Sequence, residues 1–289
     1  TNPMAVLSKV LADTLGADRV IGLCHGLFEC YDALRAIFNI EEEERIRIRF
    51  GGVNHFFWLL DMKIDGEDGY RLLREKLDGR NFATLVQEIH KDGMGFSSDK
   101  WLAGELLELY GFLPYVGDRH TCECFNCYIT DKEMMDRFKL VRTSIEDRED
   151  MYQKQGERIA KWIAGEEVDM PLGNTPSRET AADIIRAMLF NEGFIAVINT
   201  VNVGQICNLH KIEVETMGYV DAAGPVPFTT GPLPEPIEAL VLPHAEGPAK
   251  NYEGGTLRRH RRSDNGTRCG SAVPSPDHKR HKEDGSRTA

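Results

Sequence analysis

Three residues in the first fifth of the sequence have side chains suited to chemistry at strand ends. Cys24 and His25 close the apolar run "VIGLCHGLF", and His55 interrupts a second run, "GGVNHFFWL". A thiolate and an imidazole arriving from two strands can converge on one divalent ion. Taken alone, the same residues also read as core filler, as half a zinc site or as part of a catalytic centre. A second set lies closer together. The stretch "GDRHTCECFNCY" spaces His120, Cys122, Cys124 and Cys127 as H-x-C-x-C-x-x-C, four candidate zinc ligands in one loop. Strand alternation there would place Cys122 and Cys124 on one face with His120, and Cys127 on the other. Asp118, Arg119 and His120 follow Pro114 and Gly117 on an expected loop. Their carboxylate, guanidinium and imidazole suit proton transfer and anion binding, or simply solvation. Asn199 and Asn202, read as following a strand, could meet sugar hydroxyls or close a turn.

The elements that must carry these groups follow from hydrophobic period. Apolar residues at helical spacing predict a helix over 3–15, with Asn2 as its cap, and another over 26–38. A short strand through Val20–Cys24 lies between them. Ile46, Ile48 and Phe50 alternate with Arg45, Arg47 and Arg49, a period-two strand that Gly51-Gly52 should break before Val53–Met62 resumes it. Helices are expected over 69–78, 82–91 and 98–110, the last capped by Ser98. A charged helical region covers 131–165, and a further helix follows Ser177. Strands are expected at 194–200, 214–220 and 226–229, with a last helix after Pro232-Leu233-Pro234.

Composition bounds the function. A hydrophobic content of 41% with 28% charged residues is that of a globular protein. The net charge of -11 disfavours nucleic-acid partners, and no apolar run is long enough to span a bilayer. Seven scattered cysteines point to a reducing, cytoplasmic setting and not to a disulfide framework. Residues 245–289 carry ten Lys or Arg and six Asp or Glu, and apolar residues thin out after Leu257. That tail reads as disordered, as sequence in a shifted frame, or as a basic arm. No G-x-G-x-x-G fingerprint, Walker loop or G-x-S-x-G elbow occurs in the sequence.

The ordered set "TNPMAVLSKVLA", "GLCHG", "GGVNHFFWLLDM", "LPYVGDRH", "SRETAADII" and "VNVGQICNL" resembles glycoside hydrolase family four over residues 1–244. That family departs from two-carboxylate glycoside hydrolysis. The resemblance implies an α/β catalytic domain of the type that follows a Rossmann half in lactate and malate dehydrogenases, with a mixed sheet and surrounding helices. It also implies that the Rossmann half is missing here, that the catalytic domain is incomplete at its C-terminal end, and that the chain alone is inactive. The cofactors implied are NAD and a divalent metal, typically manganese. By the same resemblance Cys24 and His55 are the metal ligands, and Asn54 touches substrate hydroxyls. His25 assists the leaving oxygen, and Asn2 lies between nicotinamide and sugar. The Cys-His-Gly form of the motif resembles the subgroup acting on α-linked uronic acids, whose carboxylate Arg119 or His120 would pair. Asp118 is the expected base and Tyr115 the alternate. The implied reaction is oxidation at C3, deprotonation at C2, elimination and addition of water, in a homo-oligomer when full length. An α-glucosidase or α-galactosidase of the same family is the alternative, and a non-catalytic metal-binding or interaction module the other.

Overall fold

The computed structural model describes residues 4–89, 99–166 and 178–245; the expectations for Asn2, Ser98, Ser177 and the tail beyond Ala245 lie outside them. Helix α1 (Met4–Leu15) and helix α2 (Gly26–Phe38) form where the apolar spacing predicts them. The segment between is not the expected strand. A single residue of it, Gly22, pairs with Asn199, exchanging two backbone hydrogen bonds of 2.8 and 2.9 Å. Close approach explains why a glycine makes this contact. A Cβ there would stand 2.9 Å from the Asn199 Cβ and 3.0 Å from Glu213 Oε1.

Strands β1 (Ile46–Val53) and β2 (Phe56–Ile64) form a hairpin. Gly51-Gly52 does not break β1 as expected; the chain turns at Asn54-His55 instead. The glycines relieve a contact: a Cβ on Gly52 would fall 2.4 Å from the Phe56 carbonyl oxygen. Next come β3 (Glu67–Asp68), α3 (Gly69–Leu77), α4 (Phe82–Ile89), α5 (Trp101–Tyr110), β4 (Leu113–Pro114) and α6 (Asp118–Thr121). The charged region holds α7 (Lys132–Arg137) and α8 (Ile145–Ile163), followed by α9 (Ala181–Phe190). Strands β5 (Phe194–Val201), β6 (Glu213–Asp221) and β7 (Gly224–Pro227) precede a helix, α10, over residues 235–245.

The strands build one sheet of order β3-β2-β1-β6-β5, with β4 beside β2 and β7 beside β6. Every described pairing is antiparallel, which corrects the expected mixed sheet. The α/β class stands, but the sheet is built mainly of hairpins, and hairpins pair antiparallel. Both faces are covered along Phe56–Leu60, so that half of β2 is an unbroken apolar run and not an alternating one. Phe57 and Leu59 pack with α2, α3 and α4, whereas Phe56, Trp58 and Leu60 pack toward α5 and α10. The phase then shifts at a bulge opposite Arg49/Phe50, after which Met62 and Ile64 join the first side. Among the described residues no helix is long and apolar enough to cross a membrane.

Candidate active site

The sheet brings three segments to one place. Cys24 lies just before α2, and its sulfur accepts the Gly26 N–H at 3.3 Å. Asn54 and His55 form the β1–β2 turn, with His55 held at a left-handed φ of 62°, a conformation that costs a non-glycine residue about 1 kcal/mol. The third segment is the middle of β6, where Glu215 pairs across β1 at Gly52 and across β5 at Asn199. Asn54 Nδ2 donates to Glu215 Oε2 at 3.0 Å.

Glu215 is the residue that sequence reasoning missed. It is fully buried, and its Oε1 makes no complete hydrogen bond. The Cys24 thiol, the Asn199 amide and the His55 backbone N–H surround its carboxylate, and burial still pushes its pKa up to about 7. The available signal was positional. In "IEVETMGYV" Glu213 and Glu215 are two apart on a strand, hence on one face, but nothing local says that this face is buried.

Burial and the neighbouring Glu215 carboxylate hold the Cys24 thiol well above its ordinary pKa. Burial, with His120 and His25 nearby, lowers the His55 imidazole to about 4, so at neutral pH it is uncharged and its lone pair can serve a cation. Sulfur and neutral imidazole suit a borderline divalent metal. A cation would draw the proton from Cys24, so the residues present fit a metal held by Cys24 and His55. Two protein ligands leave coordination positions for substrate oxygens and water.

The histidines gather here as well. The His120 ring stacks on His55 with centroids 4.4 Å apart, and Tyr115 stacks on His55 at 5.8 Å. Tyr115 Oη donates to Glu29 Oε1 at 3.1 Å, and Lys100 Nζ stands 3.5 Å from Glu29 Oε2. Burial and Glu29 raise the phenol's pKa. His25 is half-exposed, its Nδ1 3.2 Å from Glu179 Oε1. Arg119 and His120 line a cleft of about 520 Å³ with Arg142 and Arg148, and Arg119 also donates to Thr143 Oγ1.

Asp118 is set differently from expectation. It starts α6 and not a loop, is 1% exposed, and accepts the Leu102 and Ala103 N–H groups at 3.1 and 3.0 Å. Those amides open α5, whose own cap position, Lys100, supplies no side-chain bond. Asp118 thus caps a helix from 16 residues away. Asn199 lies inside β5, not after it, and its Nδ2 reaches the Gly22 carbonyl at 3.4 Å. Asn202 closes a turn, donating to the carbonyls of Ile206, Leu209 and His210. The His120–Cys127 run is not a strand but a chain of short helical turns. Among the described residues no three His, Cys, Asp or Glu side chains group to hold a metal, so the four-ligand zinc loop is not formed.

Known proteins resemble this chain over most of its length. The description "Family 4 glycosyl hydrolase C-terminal domain" matches residues 50–247. An alpha-galacturonidase of Bacillus subtilis (strain 168) is 29% identical over 256 residues, 84% of this chain and 55% of that protein. The crystal structure of lplD from Bacillus subtilis, a proposed glucosidase, aligns with a TM-score of 0.75 at 26% identity, over 90% of this chain and 61% of that one. A 6-phospho-alpha-glucosidase from gut microorganisms, solved with NAD and Mn2+, aligns with a TM-score of 0.62 at 17% identity, over 86% of this chain and 55% of that one, a likeness of fold. The chain spans about half the length of the curated relatives it matches.

Proposed function

The chain belongs to glycosyl hydrolase family 4 and carries its C-terminal domain, and from that premise we propose that the whole protein cleaves α-linked uronic acid glycosides with NAD and a divalent metal, manganese being the first choice. The observation that carries the reading is the meeting of Cys24 with the Asn54-His55 turn around buried Glu215. A bound cation supplies Lewis-acid stabilisation of charge developing on the sugar oxygens. The sequence holds no dinucleotide fingerprint, so no step is assigned to these residues through NAD.

The chain's own groups take the following roles. Asn54, oriented by Glu215, offers its remaining amide valences to sugar hydroxyls. Tyr115, stacked on His55, takes the C2 proton as its own hydroxyl proton passes to Glu29, the acceptor of its hydrogen bond. Asp118 has both carboxylate oxygens engaged by α5 and positions the segment that carries Arg119 and His120. Those two residues face the cleft, where a guanidinium can pair with a uronate carboxylate through two parallel hydrogen bonds. His25, half-exposed beside Glu179, can exchange protons with water and protonate the leaving oxygen.

The full-length protein should hydrolyse an aryl α-galacturonide only with NAD and Mn2+ present. Deuterium at C2 or C3 of the sugar should slow it, because both hydrogens move. Hydrolysis that survives chelation and removal of NAD, with no isotope effect, overturns the reading.

A further inference from the structure

We propose that Glu215 is a positioning residue that fixes the distance and aim between the two metal-binding segments. The inference rests on the metal reading of Cys24 and His55. Its carboxylate meets both carriers at once: Asn54 Nδ2 at 3.0 Å and the His55 backbone N–H on the hairpin turn, and the Cys24 thiol before α2. Cys24 and His55 are far apart in sequence, and the segment bearing Cys24 joins the sheet through one backbone bridge, Gly22 to Asn199. His55 sits in a left-handed conformation that needs a partner to hold it. A carboxylate on β6 that engages both segments supplies the missing cross-tie.

A buried carboxylate is costly, and an apolar side chain of similar volume would satisfy the core better. Glu215 is fully buried with one oxygen short of a full bond, and the Asn199 Oδ1 beside it also lacks a partner. Such an arrangement is unfavourable for stability alone, which fits a residue retained for what it orients.

Length and charge can be separated at this position. Glu215→Gln keeps the reach and one acceptor for Asn54 while removing the charge. Glu215→Asp keeps the charge but is one methylene short of both segments. Co2+ is titrated into the full-length protein, reading the sulfur-to-cobalt charge-transfer band and the dissociation constant, with circular dichroism reporting folding. We expect Glu215→Asp to weaken Co2+ binding on the order of ten-fold or more and Glu215→Gln to stay within about three-fold. Equal effects, or a larger loss in Glu215→Gln, overturn the inference, because charge or bulk packing would then be what matters. Cys24→Ser in the same titration tests the underlying reading: if the charge-transfer band survives, the metal is not on Cys24 and the earlier assignment fails instead. Should Glu215→Asp not fold, Asn54→Ala reads the hairpin arm alone and should also weaken Co2+ binding; unchanged affinity there counts against the cross-tie.

Discussion

Two regions of this molecule carry metal-binding residue types, and they behave in opposite ways. The first draws Cys24 and His55 from separate parts of the chain to one buried point beside Glu215. The second packs His120, Cys122, Cys124 and Cys127 into eight residues and scatters them. Cys122 is buried with its sulfur on the Arg119 carbonyl, Cys124 is half-buried, Cys127 is exposed, and His120 turns away to stack on His55. Proximity along the chain therefore does not make a site here. Short helical turns rotate successive side chains around an axis, whereas the sheet brings the β1–β2 turn, the middle of β6 and the segment before α2 to one place.

The sharpest way to break this contrast is to titrate Mn2+ into the full-length protein with one cysteine changed in each region. Cys24→Ser should cost on the order of a hundred-fold in affinity, the scale expected for one protein ligand of a bound divalent ion. Cys124→Ser should leave affinity within about two-fold, since its sulfur meets no other ligand. If only the second variant loses metal, the site has been assigned to the wrong region.

The sequence makes the hairpin legible but not its turn. Alternating Arg45, Arg47 and Arg49 identify β1, yet Gly51-Gly52 suggests an ending where the strand continues. Glycine breaks strands by default, but here it makes room for Phe56 and Phe57 in the returning strand. Val20–Cys24 has strand composition, and the sheet edge accepts it at a single residue. Cys24 and His55 could be singled out because glycines flank them at run ends. Glu215 could not, because a carboxylate alternating with Val214 and Thr216 looks like a half-exposed strand. Its burial follows from a second covered face, which is a tertiary fact.

Next in size is a stability effect in which the first region pays for its chemistry. Glu213, two residues before Glu215 and close to Gly22, is buried, and that burial raises its pKa from 4.5 to about 8 even with Ser8 and the Lys9 backbone N–H beside it. A carboxyl with a raised folded pKa holds a proton that the unfolded chain releases. Its contribution to stability is therefore intact below about pH 4.5 and is lost as pH rises toward 8. Glu213→Gln removes that dependence. It should stabilise the protein by about 3 kcal/mol at pH 7 and by nothing measurable at pH 4. Urea unfolding at the two pH values checks this, and an equal gain at both would mean that packing and not ionisation is responsible.

A smaller effect separates Asp118 from the proton-handling groups around His55. Losing a cap that serves two buried amides costs about 2 kcal/mol, so Asp118→Ala should lower the thermal midpoint clearly. Asp118→Asn keeps one acceptor for the Leu102 and Ala103 amides and should lose about half as much. Its kcat, measured well below the midpoint, should stay within about ten-fold of wild type, less than the loss of a general base. A kcat that collapses in Asp118→Asn while stability holds would restore Asp118 as the base.

The smallest expected effect closes the contrast from the other side. Cys127 is exposed, and neither a metal nor a core depends on its sulfur in the arrangement described above. Cys127→Ser should change stability by less than about 0.5 kcal/mol, as for surface substitutions generally, and leave the Mn2+ titration unaltered. The same sulfur should react with a thiol reagent at one rate with or without Mn2+, while Cys24, half-buried and the proposed ligand, should be shielded when Mn2+ is present. Protection of Cys127 by Mn2+ would show that the scattered cysteines gather on a metal after all, and the distinction between the two regions would fall.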